Sequence, residues 1–226
     1  MPEDSNQEID KVTEEAFKKR DKFWQSIGEV EPRVYAPLIN PTLTGGPEWP
    51  NLRQAYRKIK LSNGNMVLAT DGLSDPFSPN HPMKKDVNGF EIELYVETDE
   101  DLANPAQSWQ MDALNQVAQT AAHRGDLREL VEELKYLSIE LSGVRVPVGY
   151  HYPEGQGGVL LGLPSKTIAP KITLPSGDIL LVSITVLYPK ELEMAAQGEE
   201  NRNKLAELFT QKFDEPLSSV IREPLT

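Results

Sequence analysis

Hydrophobic residues near the start of the chain recur at helical spacing. Between Glu8 and Trp24 many charged residues separate the apolar positions, which are Ile9, Val12, Ala16, Phe17 and Phe23 or Trp24. Such a stripe predicts one amphipathic helix. We assign residues 1–30 to an N-terminal helix or extension and residues 31–226 to a single domain. The pattern leaves open whether the helix packs against that domain or stands apart from it.

Shorter patterns later in the chain predict strands. The segment Phe90 to Glu97 alternates apolar and polar residues, which is typical of a strand with one buried face and one solvated face. An Asn-Gly step at Asn63 and Gly64 predicts a hairpin between strands in Leu52 to Leu61 and Met66 to Thr70. Further β-branched or apolar runs predict four strands: Val144 to Tyr150, Val159 to Leu163, Lys171 to Leu174 and Ile179 to Leu187.

Helical patterns separate these two groups of strands. One helix is predicted in Asn104 to Arg124, ending at Gly125. Asp126 is placed to cap a second helix, whose apolar stripe is Leu127, Leu130, Val131, Leu134 and Leu141. Two more helices are predicted in Pro189 to Ala196 and Asn203 to Phe213. The order of elements predicts an α+β fold, in which helices pack on the faces of a mixed, mainly antiparallel sheet.

Composition narrows the classes of function. The chain has no cysteine, so disulfides, thiolate nucleophiles and cysteine-bound metals are excluded. Its formal net charge of −12 disfavours binding to nucleic acid or to an anionic membrane surface and favours a basic protein partner. The polar, acidic start from Met1 to Lys11 and the absence of long apolar runs predict a cytoplasmic protein.

Candidate catalytic residues are few. Glu91 and Glu93 lie two residues apart on the predicted strand, so both would face one side, as a paired-carboxylate mechanism requires. A solvated polar strand face is the simpler interpretation of the same pattern. The three histidines, His81, His123 and His151, have no metal-ligand spacing, and the glycines at 155, 157 and 158 precede a strand rather than a helix. We therefore predict no catalytic residue, metal or cofactor.

Several short motifs occur in an order that points to a known family. They are Gly45-Gly46-Pro47 before a strand with Tyr56, Gly72-Leu73-Ser74-Asp75, Gly89-Phe90-Glu91-Ile92-Glu93-Leu94, a helix with Trp109, Leu114 and Ala118, and a strand from Leu181 to Tyr188 followed by Pro189-Lys190-Glu191-Leu192. In order and spacing this resembles the suppressor-of-fused domain, from about Val34 to Leu208. The chain is much shorter than the two-domain animal regulator of that family.

The resemblance implies a sandwich-like domain that binds proteins and does not transform substrates. The animal member grips a short extended peptide of a transcription factor, and single-domain bacterial members resemble immunity proteins that neutralise toxins. By resemblance, Asp75 and Glu91 match residues of the peptide-binding region, and we add the neighbouring Glu93 to this candidate protein-binding set. A turn-capping aspartate and solvated strand glutamates are the structural alternative.

Three functions follow from these observations. The first is a non-enzymatic, immunity-type module that binds a protein partner, such as a basic toxin or a short extended peptide. The second is a hydrolase that uses clustered carboxylates, which would require a deep polar pocket around Glu91 and Glu93. The third is a regulatory subunit that docks through exposed apolar residues of the helix Asn203 to Phe213. The sequence identifies neither the partner nor the oligomeric state.

Overall fold

Five α-helices and eight β-strands form the part of the chain that is described here from a computed structural model, residues 2–78, 88–150 and 156–225, with side chains from residue 10 onward. The helices are α1 Pro2–Ile27, α2 Trp109–Arg124, α3 Leu127–Leu134, α4 Pro189–Ala196 and α5 Glu199–Lys212. The strands are β1 Gly28–Val30, β2 Tyr56–Leu61, β3 Met66–Thr70, β4 Ile92–Thr98, β5 Leu137–Ser142, β6 Gln156–Leu161, β7 Lys171–Leu174 and β8 Gly177–Leu187. This combination of helices and strands confirms the predicted α+β class.

The strands form one mixed sheet in the order β1-β2-β3-β4-β8-β6-β5, with β7 paired to the first part of β8. Strands β4 and β8 run parallel, from Ile92 opposite Leu180 to Tyr95 opposite Ser183. The other neighbouring strands are antiparallel, as predicted. A parallel pair needs a long crossover connection, and here the crossover contains α2, α3 and three strands.

Helix α2 covers one face of the sheet. Its Leu114 and Val117 pack in the same core cluster as Leu68 of β3 and Leu94 of β4. The helix begins where the Ser108 hydroxyl accepts a hydrogen bond from the Met111 N–H, and it ends at Gly125, whose φ is 74°. The predicted helix and its glycine stop are therefore confirmed.

Helix α1 covers the opposite face of the sheet, where side chains of β7 also contribute to the core. Ala16 and Trp24 of α1 lie in a second core cluster with Tyr95 of β4 and Leu181 of β8. As a result every residue of β4 is buried, including the polar residues that alternation assigned to solvent. The prediction of a solvated face is wrong, because coverage by a distant segment is not visible in a local period of two. The helix packs on the sheet, while the division of the chain at residue 30 stays a prediction.

The end of the chain returns to the middle of the sheet. We call residues 214–225 the C-terminal strap. The Ser218 N–H donates to the Glu97 carbonyl of β4 at 2.8 Å, and the Ser218 hydroxyl accepts from the Val186 N–H of β8 at 3.0 Å. Both contacts lie beyond the last paired residues of β4 and β8, so the strap fills the gap where these two strands separate.

Two predicted elements are wrong. Helix α3 ends at Leu134 because Lys135 adopts a φ of 65°, and Leu141, predicted on that helix, lies in β5. No strand forms in Val144 to Tyr150. Pro147 has no N–H for pairing, and its carbonyl accepts from the Tyr150 N–H at 2.8 Å in a short 3₁₀ turn. Asp126 also makes no capping hydrogen bond with its side chain.

Candidate functional site

A buried arginine joins α1 to the turn after β3. Arg20 is 1% exposed, and its Nε lies 2.9 Å from Asp71 Oδ1. Its two terminal nitrogens donate to Ser74 Oγ at 3.0 Å and to Asp75 Oδ1 at 2.5 Å. Arg53 reaches the same aspartates from the preceding loop, with its Nε 3.0 Å from Asp75 Oδ2. We call Arg20, Arg53, Asp71, Ser74, Asp75 and Glu93 the buried charge network.

The carboxylate of Glu93, on β4, binds the same turn after β3 through hydrogen bonds. One of its carboxylate oxygens accepts from the N–H groups of Gly72 and Ser74, each at 3.0 Å, and from the Ser74 hydroxyl at 2.6 Å. The other oxygen accepts from the Thr70 hydroxyl. A Cβ atom on Gly72 would lie 2.2 Å from the Arg53 carbonyl oxygen, so only glycine fits there. The glycine–leucine–serine–aspartate turn is thus held in place by the Glu93 carboxylate.

Opposite charges favour the ionised forms of Arg20, Arg53 and Asp71 despite their burial. Burial opposes the charge of Arg20, but Asp75, Asp71 and Glu93 raise the pKa of its guanidinium above the ordinary value. Burial also disfavours the charge of Asp71, yet Arg20 and Arg53 lower the pKa of that carboxyl. For Glu93 burial outweighs the nearby donors and raises its pKa. Two guanidinium groups thus lie among three buried carboxyl groups, and Glu93 is the one whose charge burial disfavours most.

Glu91 lies outside this network. It precedes β4 with a φ of 55°, and its carboxylate lies 3.1 Å from the Arg128 guanidinium of α3. The left-handed backbone at Glu91 interrupts the period of two, so Glu91 and Glu93 have separate partners. The expectation that the two carboxylates form one pair on a single strand face is therefore wrong.

The structure brings together two of the three predicted site residues, Asp75 and Glu93, which are 0% and 1% exposed. A group closed to solvent cannot touch a partner without a rearrangement, and this network acts chemically as a salt-bridged link between α1 and the sheet. Sequence reasoning missed Arg20 and Arg53. Arg20 had a signal: it lies four residues after Ala16 and four before Trp24, inside the apolar stripe of α1. The binding role of Asp75, Glu91 and Glu93 stays a prediction.

An exposed apolar surface lies on the proline-rich loop between β1 and β2. The described residues expose eight large hydrophobic side chains, and five of them are in this loop: Val34, Leu38, Ile39, Leu43 and Leu52. Leu38 is fully exposed and Leu43 is 80% exposed. Asn40 ties the loop together, because its side chain donates to the Leu52 carbonyl at 2.8 Å. We call these five residues the apolar loop surface.

An acidic groove of about 430 Å³ begins at the first residues of the same loop. Its charged lining consists of Glu29, Glu31, Asp99, Glu100, Asp101, Lys58 and Lys60. Glu31 accepts from the Tyr35 hydroxyl at 2.6 Å, which is the main reason that the pKa of its carboxyl lies below the ordinary value. Glu29, Asp99 and Asp101 have no ion pair within the described ranges. The groove therefore carries a net negative charge next to the apolar loop surface.

The described residues contain no cluster of His, Cys, Asp and Glu side chains suited to a metal ion. His123 lies in the last turn of α2, while His81 and His151 fall outside the described residues. No helix in the described ranges is long and apolar enough to span a membrane.

No protein-family model matches this sequence. No curated protein matches it either. The fold, in contrast, is similar to solved structures. A crystal structure of the Sufu–Fu complex matches with a TM-score of 0.55 and 14% identity, over 86% of this chain and 85% of the other. The crystal structure of Drosophila Suppressor of Fused matches with a TM-score of 0.48 and 13% identity, over 74% of this chain and 39% of the other. The first match shows that this chain has a suppressor-of-fused-like fold.

Proposed function

We propose that this chain is a non-enzymatic protein-binding module that neutralises a basic protein, as immunity proteins neutralise toxins. The observation that carries the proposal is the concentration of exposed large hydrophobic side chains on one loop, where five of the eight in the described ranges are found. Exposed large apolar side chains concentrated in one segment of a domain are characteristic of protein contact sites. Scattered single residues would not carry this argument.

The acidic groove supports a basic partner. Its unpaired Glu29, Asp99 and Asp101 lie where the apolar loop surface begins, so a partner could bury apolar side chains and place cations in the groove. The net charge of −12 adds a long-range field of the same sign. Complementary fields raise the association rate and weaken with salt. Apolar contacts would supply most of the affinity, and the charges would supply rate and specificity.

The fold supports a binding role in a coarser way. The Sufu–Fu structure is a complex of two proteins, so this fold serves protein binding in at least that case. At 14% identity the likeness concerns the fold, and the partner of Sufu is not transferred to this chain.

The two alternatives are less well supported. A carboxylate hydrolase needs an accessible pair, but Glu93 is 1% exposed and Glu91 pairs with Arg128. Docking through the helix from Asn203 to Phe213 needs exposed apolar residues, but Leu205 and Phe209 are buried and Phe213 packs beside them. Neither observation favours a second function.

The first test is affinity capture from native cytoplasm with the wild-type chain and with Leu38→Ser/Leu43→Ser. We expect the wild type to retain a basic protein at low salt and to lose it at high salt, and the double variant to bind at least tenfold more weakly. Val148→Ser is the matched control, because Val148 is 90% exposed outside the loop. Equal retention by the double variant would contradict the proposed surface.

A second experiment tests the charge of the acidic groove and the neutralisation of the partner. Glu29→Lys/Asp101→Lys should weaken retention, whereas Glu199→Lys/Glu200→Lys on α5 makes the same charge change away from the groove. Expression of the captured protein in a test host should impair growth, and co-expression of the wild-type chain should restore it. A captured protein that is harmless, or whose toxicity the chain leaves unchanged, would refute neutralisation.

A further inference from the structure

The C-terminal strap lies in a groove whose hydrogen-bonding groups come from distant parts of the chain. The Thr185 hydroxyl of β8 donates to the Pro216 carbonyl at 3.1 Å, and Glu100 Oε1 accepts from the Val220 N–H at 3.0 Å. These two pairs are separated by 31 and 120 residues in the sequence. The groove that holds the strap is therefore built by other elements of the fold.

Arg222 is the most deeply buried charged residue of the strap. Its guanidinium donates to both carboxylate oxygens of Glu191, at 2.8 and 2.6 Å. Arg222 and Glu191 are 5% and 0% exposed. The centroids of four aromatic rings lie 4.7–5.8 Å from the guanidinium carbon, and these rings belong to Tyr150, Tyr188, Phe209 and Phe213. We call Glu191 and the four rings the arginine pocket.

Contacts outside the strap position the arginine pocket. The Tyr188 N–H donates to Glu191 Oε2 at 2.9 Å at the start of α4, which directs the carboxylate. The rings of Tyr150 and Tyr188 stack with their centroids 4.2 Å apart, and Phe209 lies in a core cluster with other residues of α4 and α5. A flat guanidinium with two parallel N–H groups fits a carboxylate between aromatic rings, whereas an ammonium group has no such fork. The pocket therefore favours arginine over lysine.

The strap leaves some of its own groups poorly satisfied. The Nε of Arg222 is buried and has no hydrogen-bond partner within the described ranges. Val220 and Ile221 direct large apolar side chains outward and are 46% and 79% exposed. A buried unpaired donor and exposed apolar surface both cost free energy. The strap is thus a poorer ligand for this groove than a segment that satisfied all of these groups.

The acidic groove meets the strap at Glu100. This residue lines the groove, and its carboxylate accepts from the Val220 N–H of the strap and from Trp109 Nε1–H at 3.2 Å. Val220 is only two residues before Arg222. A basic protein bound over the acidic groove would therefore lie beside the strap, near the end that fills the arginine pocket.

We propose that the arginine pocket binds an arginine side chain of the basic partner, and that the strap closes this pocket in the free chain. The guanidinium of the partner replaces that of Arg222 on Glu191, and the strap leaves its groove between β4 and β8. Because the strap is tethered, it competes at a high effective concentration, and only a partner that also binds elsewhere on the surface displaces it. The inference rests on the proposed function and specifies the side chain that the partner supplies.

The first test uses the wild-type chain and the peptide acetyl-Arg-Gly-Arg-Gly-Arg-amide, with the same peptide carrying lysine for arginine as the control. At saturating arginine peptide, amide hydrogen exchange at Ser218 and Val220 should become at least tenfold faster, because both amides lose their partners when the strap is released. The Leu192 N–H, bonded to the Tyr188 carbonyl within α4, should not change. Unchanged exchange at both strap amides, or an equal effect of the lysine peptide, would overturn the inference.

Variants of the pocket and the strap give a second test, with affinities measured by calorimetric titration. Arg222→Lys keeps a cation beside Glu191 but removes the fork, so the strap should compete less well and the arginine peptide should bind at least tenfold more tightly than to the wild type. Glu191→Gln should weaken that peptide at least tenfold, whereas Glu193→Gln, an exposed residue of the same helix, should leave its affinity within twofold. Circular dichroism checks that each variant is folded.

The same experiments separate this inference from the proposed function. Captured native partner should accelerate exchange at Ser218 and Val220 as the arginine peptide does. If capture depends on Leu38 and Leu43 but the bound partner leaves both strap amides protected, the arginine pocket has no role in binding and the proposed function stands. If no basic protein is captured while the arginine peptide still releases the strap, the pocket is a binding site and the proposed function fails.

Discussion

Single buried charged residues are expected to contribute strongly to the stability of this fold, and Arg20 is the clearest case. Replacement of Arg20 by methionine would leave Asp71, Asp75 and Glu93 buried with only Arg53 as counter-charge. Breaking a buried ion cluster by removing one partner costs about 3–5 kcal/mol. We expect Arg20→Met to lower the free energy of unfolding by about that amount in urea denaturation. Lys18→Met, on an exposed part of the same helix, should change it by less than about 0.5 kcal/mol.

A loss below about 1 kcal/mol for Arg20→Met would mean that the network adds little to stability. The buried charge network would then need a role other than stability, and this outcome would support the proposed role of Asp75 and Glu93 in partner binding.

Glu97 is a second residue whose environment predicts a measurable effect. Burial raises the pKa of its carboxyl to about 7 from the ordinary 4.5, Glu215 adds to the rise, and the Asn65 side chain opposes it. One carboxylate oxygen has no hydrogen-bond partner in the described ranges. The folded state therefore keeps a proton that the unfolded chain releases, and stability falls as pH rises from about 4.5 to about 7.

Glu97→Gln removes this titration. We expect the variant to exceed the wild type by about 3 kcal/mol in free energy of unfolding above pH 7, and the difference to vanish near pH 4. Urea denaturation across this pH range measures both curves, with the exposed Glu199→Gln as control. Parallel curves for Glu97→Gln and the wild type would show that Glu97 does not titrate in this window.

At the scale of elements, the C-terminal strap closes the sheet where β4 and β8 part. Its Ser218 hydroxyl accepts from the Val186 N–H and donates to the Ile184 carbonyl, at 3.0 and 3.2 Å. Ser218→Ala would leave a buried N–H of β8 without a partner, at a cost of about 1–3 kcal/mol. Thermal denaturation should show the loss, while the exposed Ser62→Ala should show none. An unchanged melting temperature would indicate that the strap contributes packing only.

At the scale of the whole molecule, one sheet carries separate cores on its two faces. Trp24 lies in the core beneath α1, and Trp49 lies in the core beneath α2. Because β3, β4 and β8 contribute to both cores, we expect the two faces to unfold together. Single-tryptophan variants that retain Trp24 or Trp49 should give the same denaturation midpoint by fluorescence. An earlier midpoint for Trp24 would show that residues 1–30 behave as a separate unit.

Local patterns in the sequence determined most of the elements. The amphipathic stripe of α1, the Asn-Gly hairpin between β2 and β3, the glycine stop of α2 and the apolar run of β8 depend on nearby residues, and these four predictions are confirmed. The α+β class follows from the order of such elements, and the suppressor-of-fused-like fold was implied by the resemblance of short motifs to that family; both are confirmed. The assignment of Leu141 to a helix was wrong, because the apolar run around it suits a helix or a strand equally.

Tertiary structure alone decided which polar residues are buried and which apolar residues are exposed. Glu93 and Glu97 alternate with apolar neighbours as solvated residues do, but α1 covers Glu93 and the C-terminal strap covers Glu97 from distant parts of the chain. The meeting of Arg20 with Asp71 and Asp75 spans more than fifty positions, which no local period reports. The exposure of Leu38 and Leu43 is equally a property of packing. The sequence specifies the elements because their causes are local, whereas the buried charge network and the proposed binding surface arise from contacts between residues far apart in the chain.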